Sequence, residues 1–242
     1  MTRSRPQPGP PMPQTPRQIS DSVLLSAWVL ADHVHATDVD GDLVFLDVAA
    51  DAYYCLPGAT AQVEIASNGW SVAIEDEMLA AELQQANLVR PLAAGFNRPD
   101  RTRPNPPQAS AIRYEHPRPR PGDIQAVITT TLDVALNYRG RPFHEIIDRT
   151  SAASRRGRPP RRDLLEVVDG FHRWIPFAPL SGKCLLRAFA LLRLLQREGH
   201  SASWVFGVST WPFQAHCWLQ VGELVLDDTC ERVAAYRPIL VV

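Results

Sequence analysis

Lysine is almost missing from this chain: Lys183 is the single one among 25 basic residues. The arginine preference follows genome composition and carries no functional weight. Cysteine is scarce too. Cys55, Cys184, Cys217 and Cys230 show no CxxC spacing, which excludes a disulfide scaffold or a zinc knuckle as the organising feature. Neither sign of charge dominates. The formal net charge of -1 gives no broad attraction to nucleic acid or to an anionic membrane. No apolar run approaches the length of a membrane span. The Pro-rich opening MTRSRPQPGPPMPQTPRQ lacks the apolar stretch of a secretory signal. Together these absences predict a reduced, cytoplasmic protein with no membrane span.

What is present is ordinary globular material, 45% hydrophobic and 21% charged over 242 residues, enough for one large domain or two small ones. The pattern predicts an α+β chain in four stretches. Residues 1–22 read as a disordered Pro-rich tail. Residues 23–96 form a small module: Leu43 to Asp47 and Tyr53 to Leu56 are short β-rich runs joined as a hairpin and closed by Pro57 and Gly58. Asp76 to Asn87 then has helical spacing, with Met78, Leu79, Leu83 and Ala86 on one side. Strands first and helices after suit a winged-helix-like module. Residues 97–122, rich in Pro and Arg, read as a partly extended linker. Residues 123–242 make the second domain, opening with a helix that carries Ile124, Val127, Ile128, Leu132 and Ala135 near helical spacing. The arginine-rich stretch from Arg155 to Arg162 reads as a solvated loop, and Asp163 caps a helix that ends before Pro176.

The chemistry concentrates between Ser181 and Thr229. Cys184 stands at the first turn of an apolar helix, in line with Ala188, Leu191 and Leu195 on its buried stripe. Ser181 can cap that helix and Gly182 permits the entry turn. A thiol there sits where the helix dipole favours thiolate, the nucleophilic form. Two strands follow, Ser203 to Ser209 and His216 to Val221, and the second turns at Gly222 and Glu223 into a third. His216, Trp218 and Gln220 share one strand face, so the imidazole is directed towards the thiol and Trp218 walls the site. Either Asp227 or Asp228 can orient the histidine. A strict two-residue turn puts Asp227 on the His216 face, and one further turn residue puts Asp228 there. His116, His144 and His172 lack a comparable partner and read as structural. Cysteine on a helix N-terminus with histidine and carboxylate on strands is the arrangement of papain-like and transglutaminase-like thiol enzymes.

At these residues the sequence resembles the B proteins of lasso-peptide biosynthesis, bacterial leader peptidases related to the transglutaminase-like fold. The resemblance rests on Cys184-Leu185, Gly207-Val208, Pro212-Phe213, His216 with Trp218, Val221-Gly222 and the apolar pair ahead of Asp228. The family interval after histidine favours Asp228 as third member, with Asp227 in reserve. The sequence departs from the pattern at Cys217, where alanine or serine is usual, and at Gln220, where glutamate is common. The segment DGDLVFLDVAADAYYCLPG is similar to the PqqD-like recognition element of peptide-modifying systems.

The resemblance implies a fused, two-part maturation protease of antibiotic biosynthesis. The leader of a ribosomal precursor peptide would add as a strand beside Asp51, Ala52, Tyr53, Tyr54, Cys55 and Leu56, and pack on the Glu75–Asn87 helix through Leu79 and Leu83. Cys184, His216 and Asp228 would cut the leader from the core peptide. An asparagine-synthetase-like cyclase would then close the core with ATP. No phosphate-binding glycine loop appears here, so ATP, like any cofactor or metal, is expected only through that partner. Two other readings share the same residues: an acyl-transferring transglutaminase, and an inert peptide-delivery protein.

Overall fold

Asp40 and Gly41 both take positive φ, 52° and 98°, and Val39 pairs directly with Asp42. That two-residue turn has the hand that matches strand twist, which is why Asp-Gly occupies it. It joins β2 (Val34–Val39) to β3 (Asp42–Asp47) in a computed structural model that describes residues 27–112, 121–154, 159–177 and 184–242. The expected tail, residues 113–120 of the linker, residues 155–158 of the arginine stretch, His116, and the Ser181 and Gly182 helix entry lie outside the described residues.

β1 (Ala27–Leu30) precedes this hairpin, and β4 (Ala52–Leu56), β5 (Val63–Ile65) and β6 (Ser71–Ile74) follow it. Next come α1 (Glu77–Gln85) and β7 (Val89–Pro91). Two sheets result, ordered β5-β6-β1-β7 and β2-β3-β4. The expected hairpin forms as β3 and β4, in register from Leu43 opposite Leu56 to Asp47 opposite Ala52. Asp76 caps α1 by accepting the Met78 and Leu79 N–H groups. The helix buries Ala80 and Leu83, while Met78 is 76% exposed and does not join the core as its spacing suggested. Seven strands and a single α-helix among the described residues of this part depart from a winged-helix arrangement.

The described part of the linker stays largely exposed but is pinned by specific contacts. The Arg101 guanidinium stacks on Trp70 at 3.6 Å, and Arg98 pairs with Asp32 at 2.9 Å. Ala109–Ser110 forms β8, parallel to β11 (Leu224–Val225). Arginine provides the packing surface here, and a tally of apolar residues does not register it.

The remaining elements are α2 (Pro121–Asn137), α3 (Phe143–Ser154), α4 (Leu164–Trp174), α5 (Cys184–Glu198), β9 (Ser203–Ser209), β10 (Gln214–Val221), α6 (Cys230–Val233) and β12 (Arg237–Val241). Their sheet runs β12-β9-β10-β11-β8. α5 is the centre: Ala188, Leu191 and Leu195 lie in the core with Phe189 and Leu192, as its stripe requires. Asp163 caps α4 as expected, accepting from Leu165 and Glu166. α2 is turned the other way from its apolar pattern. Ile124, Ile128 and Leu132 are exposed, whereas Asp123, Thr130, Asp133 and Val134 face inward. Arginines of neighbouring elements account for this: Arg173 meets Asp123 at 2.9 Å and Arg193 meets Asp133 at 2.7 Å.

β3 links the two parts. Leu43 and Phe45 enter the N-terminal cluster with α1 and β6, while Val44 and Leu46 enter the cluster around α5. Alternate residues of one strand thus serve two cores. Among the described residues no helix is long and apolar enough to cross a membrane.

Candidate active site

Cys184 is the first described residue of α5, and its side chain stands at the N-terminal, positive end of the helix dipole. The thiol is half-buried. It hydrogen-bonds to the Cys217 thiol, the His216 imidazole and the Cys217 backbone N–H. The Cys217 thiol contributes most, and with the other bonds and the His216 charge it overrides burial, holding Cys184 down at about 3.

β10 brings His216 and Cys217 here with opposite orientations. Cys217 and Leu219 face the α5 core, whereas Trp218 lies in a separate cluster with Val205, Val225 and Val233. The expected packing of α5 on the His216–Trp218 face is therefore reversed, and the imidazole meets the thiol near the end of the helix. His216 Nε2 lies 2.6 Å from Asp228 Oδ2, which leaves Nδ1 for the thiol. Burial alone would push His216 down. The hydrogen bonds to Asp228 and Cys184, with their negative charges, carry it up to about 9. Asp228 is likewise opposed by burial, yet His216, the Thr229 N–H at 2.8 Å and Arg232 at 3.6 Å keep it below the usual carboxylate range. At neutral pH the three groups stand as thiolate, imidazolium and carboxylate.

The two aspartates separate for a reason parity does not contain. The turn at Gly222 and Glu223 is a strict two-residue one, with Val221 opposite Leu224. Regular pairing then stops at Val225. The Leu226 N–H still bonds to the Leu219 carbonyl, but the Leu219 N–H goes to the Asp227 carboxylate at 2.8 Å. Asp227 thereby closes the ladder with its side chain, the chain bends, and Asp228 reaches His216. Burial pushes Asp227 up to about 6, against the pull of the Leu219 N–H and of Arg187.

Around the imidazole, Trp218 stacks at 6.1 Å and Tyr236 packs in a tilted arrangement at 5.1 Å. Trp218 is 1% exposed, with its indole N–H on Gln220, so it supports His216 and offers a substrate no surface. Gln220 donates to the Asn105 and Gly222 carbonyls at 2.6 and 2.7 Å. A glutamate could not donate those bonds, which accounts for the amide here. Of the other histidines, His172 Nε2 contacts the Leu226 carbonyl at 2.9 Å and His144 is exposed on α3.

The N-terminal residues expected to bind peptide fall into three groups. β4 is an edge strand, so Ala52 to Leu56 present one unpaired side among the described residues, with Asp51 in the turn before it. Tyr54 is exposed, while Tyr53 turns towards the thiol: burial raises its hydroxyl pKa, and the negative charges of Asp51 and Cys184 raise it further. Leu79 and Leu56 flank the N-terminal cluster, but Leu83 is buried inside it and is not a contact surface. The sequence reading missed the Thr210–Phe213 loop as a partner of this strand. Phe213 packs on Tyr53 at 5.5 Å, and the Trp211 indole donates to Asp42 at 2.6 Å. Large aromatics beside a proline in a loop were the available signal. Among the described residues no group of three or more His, Cys, Asp or Glu side chains is placed to hold a metal ion.

Residues 128–241 match the model of the transglutaminase-like superfamily. The match includes Cys184, His216 and Asp228, leaves β1 to β8 outside, and supports a cysteine-protease-like or acyltransferase fold. No curated protein and no solved structure matches the chain.

Proposed function

We propose that this chain is a cysteine peptidase of lasso-peptide maturation, which captures the leader of a precursor peptide and cuts it from the core. The observation that carries the reading is the relay from Cys184 through His216 to Asp228, with the last link at 2.6 Å. The Cys184 thiolate attacks the carbonyl at the leader–core junction. The Cys184 backbone N–H, at the N-terminal end of α5, donates to the developing oxyanion. His216 passes its Nδ1 proton to the leaving amine of the core, while Asp228 fixes the ring through Nε2. Water, deprotonated by the now neutral imidazole, then releases the leader from the thioester.

Peptide capture is supported by the open edge of β4. An added strand there would gain main-chain hydrogen bonds along Ala52 to Leu56 and side-chain contacts with Tyr54 and Leu79. Tyr53, which senses the Cys184 charge, and Phe213 packed on it would guide the chain across. The freed core amine goes on to an asparagine-synthetase-like cyclase, which supplies the ATP chemistry.

Mass spectrometry of a candidate precursor incubated with this protein, the cyclase and ATP tests the reading. Leader release by wild type, lost in Cys184→Ala and Asp228→Asn and retained in Asp227→Asn, is the expected result. Release persisting in Cys184→Ala would leave a peptide-delivery protein. An amine-linked acyl product in place of hydrolysis would assign acyl transfer.

A further inference from the structure

Cys217 is a thiol the mechanism leaves unemployed. It sits in mid-β10, 3% exposed, on the face that packs against α5, in the same cluster that Cys184 packs against, beside the Cys184 sulfur. Alanine or serine would fill this space without a second reactive sulfur. The remaining cysteines are elsewhere: Cys55 is on β4, and Cys230 bonds to Ser110 Oγ at 3.3 Å. We infer that Cys184 and Cys217 are a dithiol site, which a hydroperoxide converts to an intrachain disulfide that reversibly blocks the nucleophile. This rests on the reading of Cys184 as that nucleophile.

The chemistry balances in two steps. The Cys184 thiolate attacks the distal peroxide oxygen, the O–O bond breaks, and His216 gives its proton to the departing oxygen. Cys184 is then a sulfenic acid, and the peroxide has become an alcohol, or water if it was hydrogen peroxide. Cys217 next attacks the Cys184 sulfur, the S–O bond breaks, and hydroxide leaves with the Cys217 proton as water. Two thiol sulfurs each lose one electron and the peroxide takes up two.

The site orders these events. In the resting state the hydrogen bond to Cys184, burial, and the Cys184 negative charge all push the Cys217 thiol up, so it stays protonated. Cys184, low and half-buried, is the thiol that reacts first. Once Cys184 is a neutral sulfenic acid its charge is gone and Cys217 is released to attack. Closing the bond holds Cys184 below the sulfinic stage, which is irreversible.

The test uses the full reduced chain, treated with hydrogen peroxide, alkylated, digested without reductant and mapped by mass spectrometry. A Cys184–Cys217 linked peptide that dithiothreitol removes is expected. Precursor cleavage, measured relative to each protein's untreated rate, should fall with peroxide and return with dithiothreitol in wild type. In Cys217→Ala and Cys217→Ser the loss should persist, with Cys184 found as sulfinic acid. Sulfinic acid at Cys184 in wild type without the link, a link to Cys55 or Cys230 instead, or full recovery in both variants would each overturn the inference. Mapping needs no substrate, which separates the two readings. A link in a chain whose reduced form cleaves no precursor retires the peptidase and leaves the dithiol site standing.

Discussion

Asp227 and Asp228 are neighbours with opposite electrostatics, and each carries a prediction. Asp227 is fully enclosed with one N–H donor, and its carboxyl is raised from 3.8 to about 6. A raised carboxyl binds its proton more tightly in the folded chain, so its contribution to stability is present below 3.8 and is lost as pH rises through about 6. Asn at this position keeps an oxygen for the Leu219 N–H and carries no charge to bury. Asp227→Asn should therefore raise the urea midpoint at pH 8, by at most about 3 kcal/mol in unfolding free energy, and leave it nearly unchanged at pH 4. A midpoint that falls at pH 8 would show that the charge stabilises the bend. Asp228 acts through His216, so its test is a pH profile. Thiolate and imidazolium coexist between about 3 and about 9, so kcat/KM should be level across that range and fall on either side. Asp228→Asn removes the charge that raises His216. It should lower activity roughly 10²–10⁴-fold and move the basic limb downward. A loss of rate with the limb still near 9 would mean that Asp228 is merely structural.

Among the elements, the β9–β10 pair shows what could be read from sequence and what could not. The strands, the position of the turn at Gly222 and Glu223 and the orientation of Cys184 on α5 were legible, because each follows from a local period or from turn chemistry; the length of that turn, two residues or three, stayed open. The early end of β11 was not. It depends on a side chain, Asp227, replacing a main-chain acceptor, and alternation contains no trace of that. The exposed Ile124–Ile128–Leu132 face of α2 was hidden for a related reason: buried Asp–Arg pairs outcompeted the apolar stripe for the inward side. Gly207 shows a third kind of constraint. It lies opposite His216, and a Cβ there would meet Trp218 Cζ3 at 2.8 Å and Tyr236 Cβ at 2.9 Å. Those two rings flank the imidazole, so the glycine keeps room for the pair that holds His216. Gly207→Ala should cost about 1–3 kcal/mol of stability and lower kcat more than it raises KM, since the displaced rings disturb His216 and not the β4 edge. Unchanged kcat, measured at a temperature below the variant's unfolding transition, would separate the rings from the chemistry.

At the scale of the whole molecule, the sequence suggested two modules joined by a partly extended linker, and the described residues of the two parts also share a core. Val44 and Leu46 of β3 lie in the core that holds α5, β8 extends the C-terminal sheet, and Gln220 bonds to the Asn105 carbonyl. Every residue of β3 is buried, and its apolar run does not reveal that its two faces serve different cores, because both faces look alike in sequence. Cutting between the parts would strip an apolar face from the α5 core and remove an edge strand beside β11. Burial of this kind contributes about 25 cal/mol per Å² of apolar surface, so losing several side chains at once removes a large share of a typical domain's stability. The full chain should unfold in a single calorimetric transition, with calorimetric and van't Hoff enthalpies equal. Residues 123–242 expressed alone should bind a hydrophobic dye and show no cooperative melt. Two separable transitions in the full chain, or a cooperative melt of the fragment at the full chain's temperature, would mean that the shared strand is a contact and not a common core. In that event the β4 edge could be detached from the thiol without loss of fold, and peptide capture would have to reach Cys184 through a moving joint.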